Sequence, residues 1–262
     1  MTDTTPTPSV EEVLAITDPG DVGREHHSKI DRMVIHIGNV VAWAFPILMV
    51  AIVAQVILRA NGYNQAWLDD AQWWIYGFAM LTAFGYAIVT NSHVRVDIFH
   101  QNYSNEKKAR IEAAAIGWLL LPFIALMTDV MTHYAWASIE SGEGSSSPNG
   151  LHNLYILKTS LPFLFLMAGL AGISVMQRNL RVFTDTSLAT QLIWAFPTAV
   201  FVVWRLVHYV LYWIIFATDA EIAARRITRD YAIFDYALLI SFGLVIAAIV
   251  FGLVTGRRKG AV

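Results

Sequence analysis

The chain has 262 residues, 56% of them apolar and only 15% charged, with a formal net charge of −2. The charged share falls well below the roughly 25% of soluble domains, and the near-neutral balance excludes an electrostatic nucleic-acid binder. With no cysteine in the sequence, disulfides, thiolate catalysis, Cys-ligated zinc and Cys-held iron–sulfur clusters are excluded as well.

Residues 1–23 are rich in Thr, Pro, Asp and Glu. They lack the basic start, apolar centre and cleavage site of a signal peptide, and read as a disordered tail that buries too little to offset ordering entropy. Residues 24–34 mix charge with Ile30, Met33 and Val34 on one helical face. They either form an interfacial helix along the bilayer or extend the first spanning helix into water.

About 20 apolar residues are needed to cross the hydrocarbon as a helix. Six stretches qualify: residues 35–58, 71–90, 111–138, 154–176, 188–216 and 232–254. Each must be helical, because unpaired backbone amides are costly in lipid, and such continuous runs do not fit the alternation of a membrane barrel. The predicted fold is an all-α polytopic membrane protein. With the N-terminus placed in the cytoplasm, twelve of the Lys and Arg residues fall inside. Five fall outside (Arg59, Lys158, Arg225, Arg226 and Arg229), and Arg205 lies within a span. That bias predicts cytoplasmic termini. The outlying Arg225–Arg229 cluster has acidic neighbours at i,i+4 spacing, Glu221 to Arg225 and Arg226 to Asp230, so a short surface helix is expected there.

The outer loops differ in character. Residues 61–70 combine turn chemistry with Trp67, Asp69 and Asp70, whereas residues 140–149 are small, flexible and acidic. Asp69 and Asp70 fit either a docking surface or a helix start favoured by acidic residues and anchored by Trp67. Pro46, Pro122, Pro162 and Pro197 lie in or near the stretches, but no pair of broken helices or internal repeat of the kind that builds a carrier site emerges.

The strip His93-Val94-Arg95-Val96-Asp97-Ile98-Phe99 closes the second apolar stretch. It has an apolar anchor and a polar side in either backbone conformation. It resembles the H-[IV]-R-V-D-[LVI] signature of the small membrane subunit of tripartite ATP-independent periplasmic (TRAP) transporters, the DctQ-like family. Other features follow in the same order. Gln55-Val56-Ile57-Leu58-Arg59 resembles the Q-V-x-x-R that ends the family's first helix. Trp67-Leu68-Asp69-Asp70 resembles its W-x-[DE]-E, with Asp70 where Glu is usual. Gly144-Ser145-Ser146-Ser147-Pro148 and Leu161-Pro162 resemble its Ser-Pro loop and the proline of its fourth helix. The resemblance covers about residues 34–183, so it implies a four-helix small-permease domain over 35–183 with two further C-terminal membrane helices over 184–262. It also implies a scaffold in the inner membrane, without catalysis or cofactor. Its partners would be a large permease, which carries the moving and ion-coupled parts, and a periplasmic binding protein that delivers a solute, often an organic acid.

Elementary physics agrees with a scaffold. A solute carrier needs polar groups near the midplane, and most stretches have almost none. Small residues such as Gly77, Gly85 and the run Gly169 to Gly172 permit close helix packing. The deepest charges are Asp129 and Arg205. They lie at matched depths, roughly 13 and 16 Å below the outer ends of their stretches at 1.5 Å per residue. His133 follows Asp129 by four residues and His208 follows Arg205 by three. A contact between Asp129 and Arg205, with both histidines nearby, is expected to tie the extra helices to the four-helix core, because an unpaired central Arg costs about 2.5–3.5 kcal/mol. Two rival functions remain open at this point. One is a haem- or quinone-binding redox anchor, for which only His133 and His208 lie within spans. The other is a membrane assembly factor.

Overall fold

A computed structural model describes residues 19–21, 24–92, 102–219 and 223–259. Among the described residues the chain is entirely helical and turn, without strands. Six helical segments are long and apolar enough to cross a bilayer: Lys29–Ala60, Ala66–Thr90, Asn105–Ser141, Tyr155–Leu180, Phe196–Thr218 and Ile233–Thr255. They are the first to sixth spans. The near end of the bundle holds Lys29, Thr90, Asn105 and Leu180; the far end holds Ala60, Ala66, Ser141 and Tyr155. Most of the expected N-terminal tail, and the His93–Phe99 strip with His93, Arg95 and Asp97, lie outside the described residues.

Local chemistry sets the helix limits. Ser28 starts the first span with a capping box: its hydroxyl accepts from the Asp31 N–H, and Asp31 accepts from the Ser28 N–H. The span breaks once, at Trp43, between helices Lys29–Ala42 and Ala44–Ala60. Pro46 sits in the first turn of the second part, where its missing N–H is not needed. The third span begins at Asn105, six residues before the apolar stretch. Ser104 caps it and Glu106 accepts from Arg110 at 2.6 Å. It widens into a π turn at Ile116–Leu120. Pro122, at the start of Leu121–Ser141, cannot donate to the carbonyl four residues back and its ring crowds that carbonyl, a recognised cause of such widening.

The fifth apolar stretch is not one helix. Residues 188–216 divide into Leu188–Trp194, capped by Ser187, and the fifth span Phe196–Thr218, with Ala195 out of helical geometry between them. Pro197 is the second residue of the span, where its missing N–H is not needed. Uniform apolarity concealed this break. Beyond the fifth span, the basic cluster forms a 3-10 turn at Ala224–Arg226 and a short helix Ile227–Asp230, with Arg226 and Asp230 paired at 2.7 Å. Glu221 lies outside the described residues.

The fourth span is the hub, with half of its apolar window enclosed. It packs against the second and third spans and the near-end half of the first. Met167, Ala168, Ala171, Val175 and Met176 form the centre, with Val34, Val89, Ile116 and Leu121 around them. Close approach depends on glycine. A Cβ on Gly172 would come within 2.9 Å of Leu121, and one on Gly85 within 3.2 Å of Met167. Gly85 and Gly172 therefore serve packing inside the chain, whereas Gly77 faces open space. The sixth span packs on the fifth and on Leu188–Trp194, where Gly252 meets Ala189. The fifth leans on the third. The last two spans thus form a pair attached to one flank of the four-span unit.

Candidate functional site

Polar side chains meet at three levels of the bundle. At the far end, Gln55 is buried one turn before the first span ends and accepts from Gln72 Nε2. Arg59 Nη2 binds Asp69 Oδ2 at 2.5 Å. Trp67 Nε1 donates to Gln65 at 2.9 Å. Asp70 Oδ2 accepts the Leu151 N–H at 2.8 Å, and the Ser145 N–H bonds the Leu151 carbonyl at 3.0 Å, so the Ser-Pro loop folds onto the start of the second span. Gly150 lies so close that a Cβ there would run into Ser145 Oγ and Asp70 Oδ2. On the adjoining side, Glu143 Oε2 accepts from Lys158 Nζ at 2.5 Å and from Ser138 Oγ at 2.7 Å. The lysine and hydroxyl donors hold the Glu143 carboxyl below its ordinary pKa. Lys158 is buried and also lies over the Tyr134 ring. Pro162 is half-buried one turn further along the fourth span.

Midway along the bundle, Arg205 Nε donates to Asp129 Oδ1 at 3.0 Å. Its Nη2 lies 3.0 Å from the Tyr209 hydroxyl and 3.1 Å from His133 Nε2. Tyr209 also reaches Asp129 Oδ1 at 3.0 Å and His133 Nε2 at 2.8 Å. The third and fifth spans are therefore joined by a closed quartet of Asp129, His133, Arg205 and Tyr209. His208 stands apart from it, edge-on to Phe234 of the sixth span at 4.8 Å between ring centres. Helix geometry accounts for the exchange. Residues three and four after Arg205 lie on opposite sides of it. The fourth points to the third span and the third to the sixth. Two helical turns toward the near end from Arg205, the Thr198 hydroxyl donates to the Gly117 carbonyl of the π turn at 3.3 Å, and the Trp194 carbonyl abuts Gly117 where any side chain would block it.

At the near end, Arg178 of the fourth span joins three elements. Its Nη2 donates to the Val89 carbonyl at 3.1 Å, and its Nη1 lies 3.8 Å from Asp31, which is 1% exposed. Ser28 and Ser174 share a hydrogen bond of 2.8 Å, and Gln177 donates to Gln191 at 2.9 Å. Burial keeps the neighbouring His27 below the ordinary histidine pKa, despite the raising effect of Asp31.

Three participants left a signal too weak to use in the sequence. Tyr209 is one aromatic among many in an apolar run. Lys158 counts as a loop base until the helix start is known. Asp31 belongs to a charged stretch whose helical face is ambiguous. Among the described residues no cluster of three or more His, Asp or Glu has metal-binding geometry.

The polar groups at all three levels are chiefly engaged with one another, and each set links different helices. Such bonds brace a bundle. The family described as tripartite ATP-independent periplasmic transporters, DctQ component, matches residues 48–182, just over half of the chain. That interval includes Gln55, Arg59, Asp69, Asp70 and Pro162 and stops before the fifth span. No curated protein and no solved structure matches the chain.

Proposed function

Because the chain belongs to the DctQ family, the DctQ component of TRAP transporters, and is a multi-pass inner-membrane transport subunit, we propose that it is the small permease subunit that braces a large permease. That partner imports a solute, an organic acid by family resemblance, which a periplasmic binding protein delivers. The far-end network carries this reading. Gln55, Arg59, Asp69 and Asp70 all bond within the chain, so the residues that mark the family fix the relative positions of the first two spans and the Ser-Pro loop. A rigid wall is what a moving neighbour requires. Asp69 and Asp70 act first as internal struts, and docking of the binding protein uses the loop surface that they hold in place. The near end lies in the cytoplasm, as the basic residues Lys29, Arg32, Lys107, Lys108, Arg110 and Arg181 favour.

The test is to express a TRAP large permease and its periplasmic binding protein with and without this chain, and to measure solute uptake and co-purification. The expected result is a stable complex of chain and permease, with uptake lost when the chain is omitted. Uptake by the permease alone, or solute movement by this chain unaided, would overturn the proposal.

A further inference from the structure

A crevice of about 810 Å³ runs between the third, fourth and fifth spans, and the polar quartet forms part of its wall. Along the third span it extends from Leu121 to Trp136, about 22 Å at 1.5 Å per residue. Its length suits extended hydrocarbon chains lying along the spans. The wall is apolar over most of its length, with Ile124, Leu166, Leu170 and Ile173 on the third and fourth spans.

The quartet does not satisfy all its own hydrogen-bonding capacity. Arg205 uses Nε and Nη2, and Asp129 uses Oδ1. Among the described residues nothing bonds Arg205 Nη1 or Asp129 Oδ2, although both side chains are only 18% exposed. Two N–H donors and a carboxylate oxygen are thus left on residues that line a mostly apolar crevice, and at bilayer depth such groups are costly to leave unmet. They lie about 10–12 Å below Trp136 and Trp213, counting seven and eight residues. Those tryptophans mark the far mouth at the depth where aromatic belts meet the headgroups. A charged headgroup would not descend that far.

We propose that this crevice is a binding site for a neutral, bilayer-soluble amphiphile whose hydroxyl-bearing head accepts from Arg205 Nη1 and donates to Asp129 Oδ2, with its hydrocarbon tail along the third and fourth spans. Two sources share this chemistry, a diacylglycerol and an isoprenoid quinol. Half of the site belongs to the family core and half to the fifth span, so the ligand seals the joint between them.

The test uses the full chain alone, in phosphatidylcholine nanodiscs, and so is independent of the transport assignment. Dioleoylglycerol, decyl-ubiquinol and octadecane are each titrated, and bound ligand is counted after separation. The expected result is saturable binding of at least one hydroxylated probe, with the alkane about ten-fold weaker. The hydroxylated probe that binds more tightly identifies the source. Gly169→Leu adds a side chain at a lining position of the crevice, where a Cβ meets only Ile124, at 3.4 Å. Leu166→Trp, at an exposed lining position, is a second filler should the first fail to fold. Either is expected to weaken binding about ten-fold. The proposal is overturned if neither hydroxylated probe saturates, if the alkane binds equally well, or if a folded filling variant keeps full binding.

Discussion

Replacing Asp129 by Leu isolates the joint between the four-span unit and the C-terminal pair. Arg205 would remain in place, 18% exposed, with its Nε–H stripped of the carboxylate 3.0 Å away. Removing one member of a buried ion pair typically costs about 3–5 kcal/mol, because the other charge is left uncompensated. Tyr209 and His133 still contact Nη2, so the lower end of that range, about 3 kcal/mol, is expected. For a chain of this size each kcal/mol shifts the melting temperature by roughly 2–4 °C, which puts the fall at about 6–12 °C. Arg205→Met added to Asp129→Leu removes the orphaned charge and should restore most of the loss, since apolar replacements of buried pairs are often neutral. The assay is thermal unfolding of the four proteins of the double-mutant cycle in one detergent, followed by size-exclusion chromatography. If the two single losses simply add, or if Asp129→Leu melts with the wild type, the quartet does not hold the joint.

Gly117→Leu should detach the fifth span at its start, because its side chain must displace the Trp194 carbonyl; a loss of about 1–3 kcal/mol is expected, read as a lower melting temperature that Gly77→Leu, facing open space, does not share. Asp70→Ala removes the acceptor of the Leu151 N–H and should speed proteolysis within residues 145–150, leaving cleavage elsewhere unchanged. Glu143 has a depressed pKa, so its pairing with Lys158 contributes fully above the ordinary carboxylate range and is lost as pH falls through the lowered value. Acid should therefore destabilise the wild type relative to Glu143→Gln, with the two melting curves converging at low pH. The absence of native cysteine makes topology directly measurable: in intact spheroplasts an impermeant maleimide should label Ser146→Cys but not Ser104→Cys, and the reverse pattern would invert the proposed orientation.

Runs of apolar residues made the six spans legible, because lipid imposes a length and a composition that few other environments require. The partner of Arg205 was legible for a related reason. A charge in the hydrocarbon has few options, and Asp129 was the acid at matching depth. Finer features depended on rotation about the helix axis, which depth does not supply. Tyr209 joins the quartet and His208 does not, because the third span lies on one side of the fifth and the sixth span on the other. The break at Ala195 and the π turn before Pro122 were also hidden, since proline is compatible with a membrane helix wherever a neighbour takes up the freed carbonyl. At Gly117 that neighbour is Thr198, 81 residues further along the chain.

The lean of the fifth and sixth spans against the third has a geometric corollary. On the other flank, the first span leaves Ile47, Val50, Val53 and Ile57 uncovered, and the second leaves Trp73, Tyr76 and Met80 uncovered around Gly77. The C-terminal pair thus covers one flank of the four-span unit and leaves the opposite flank as a bare apolar wall of the first two spans.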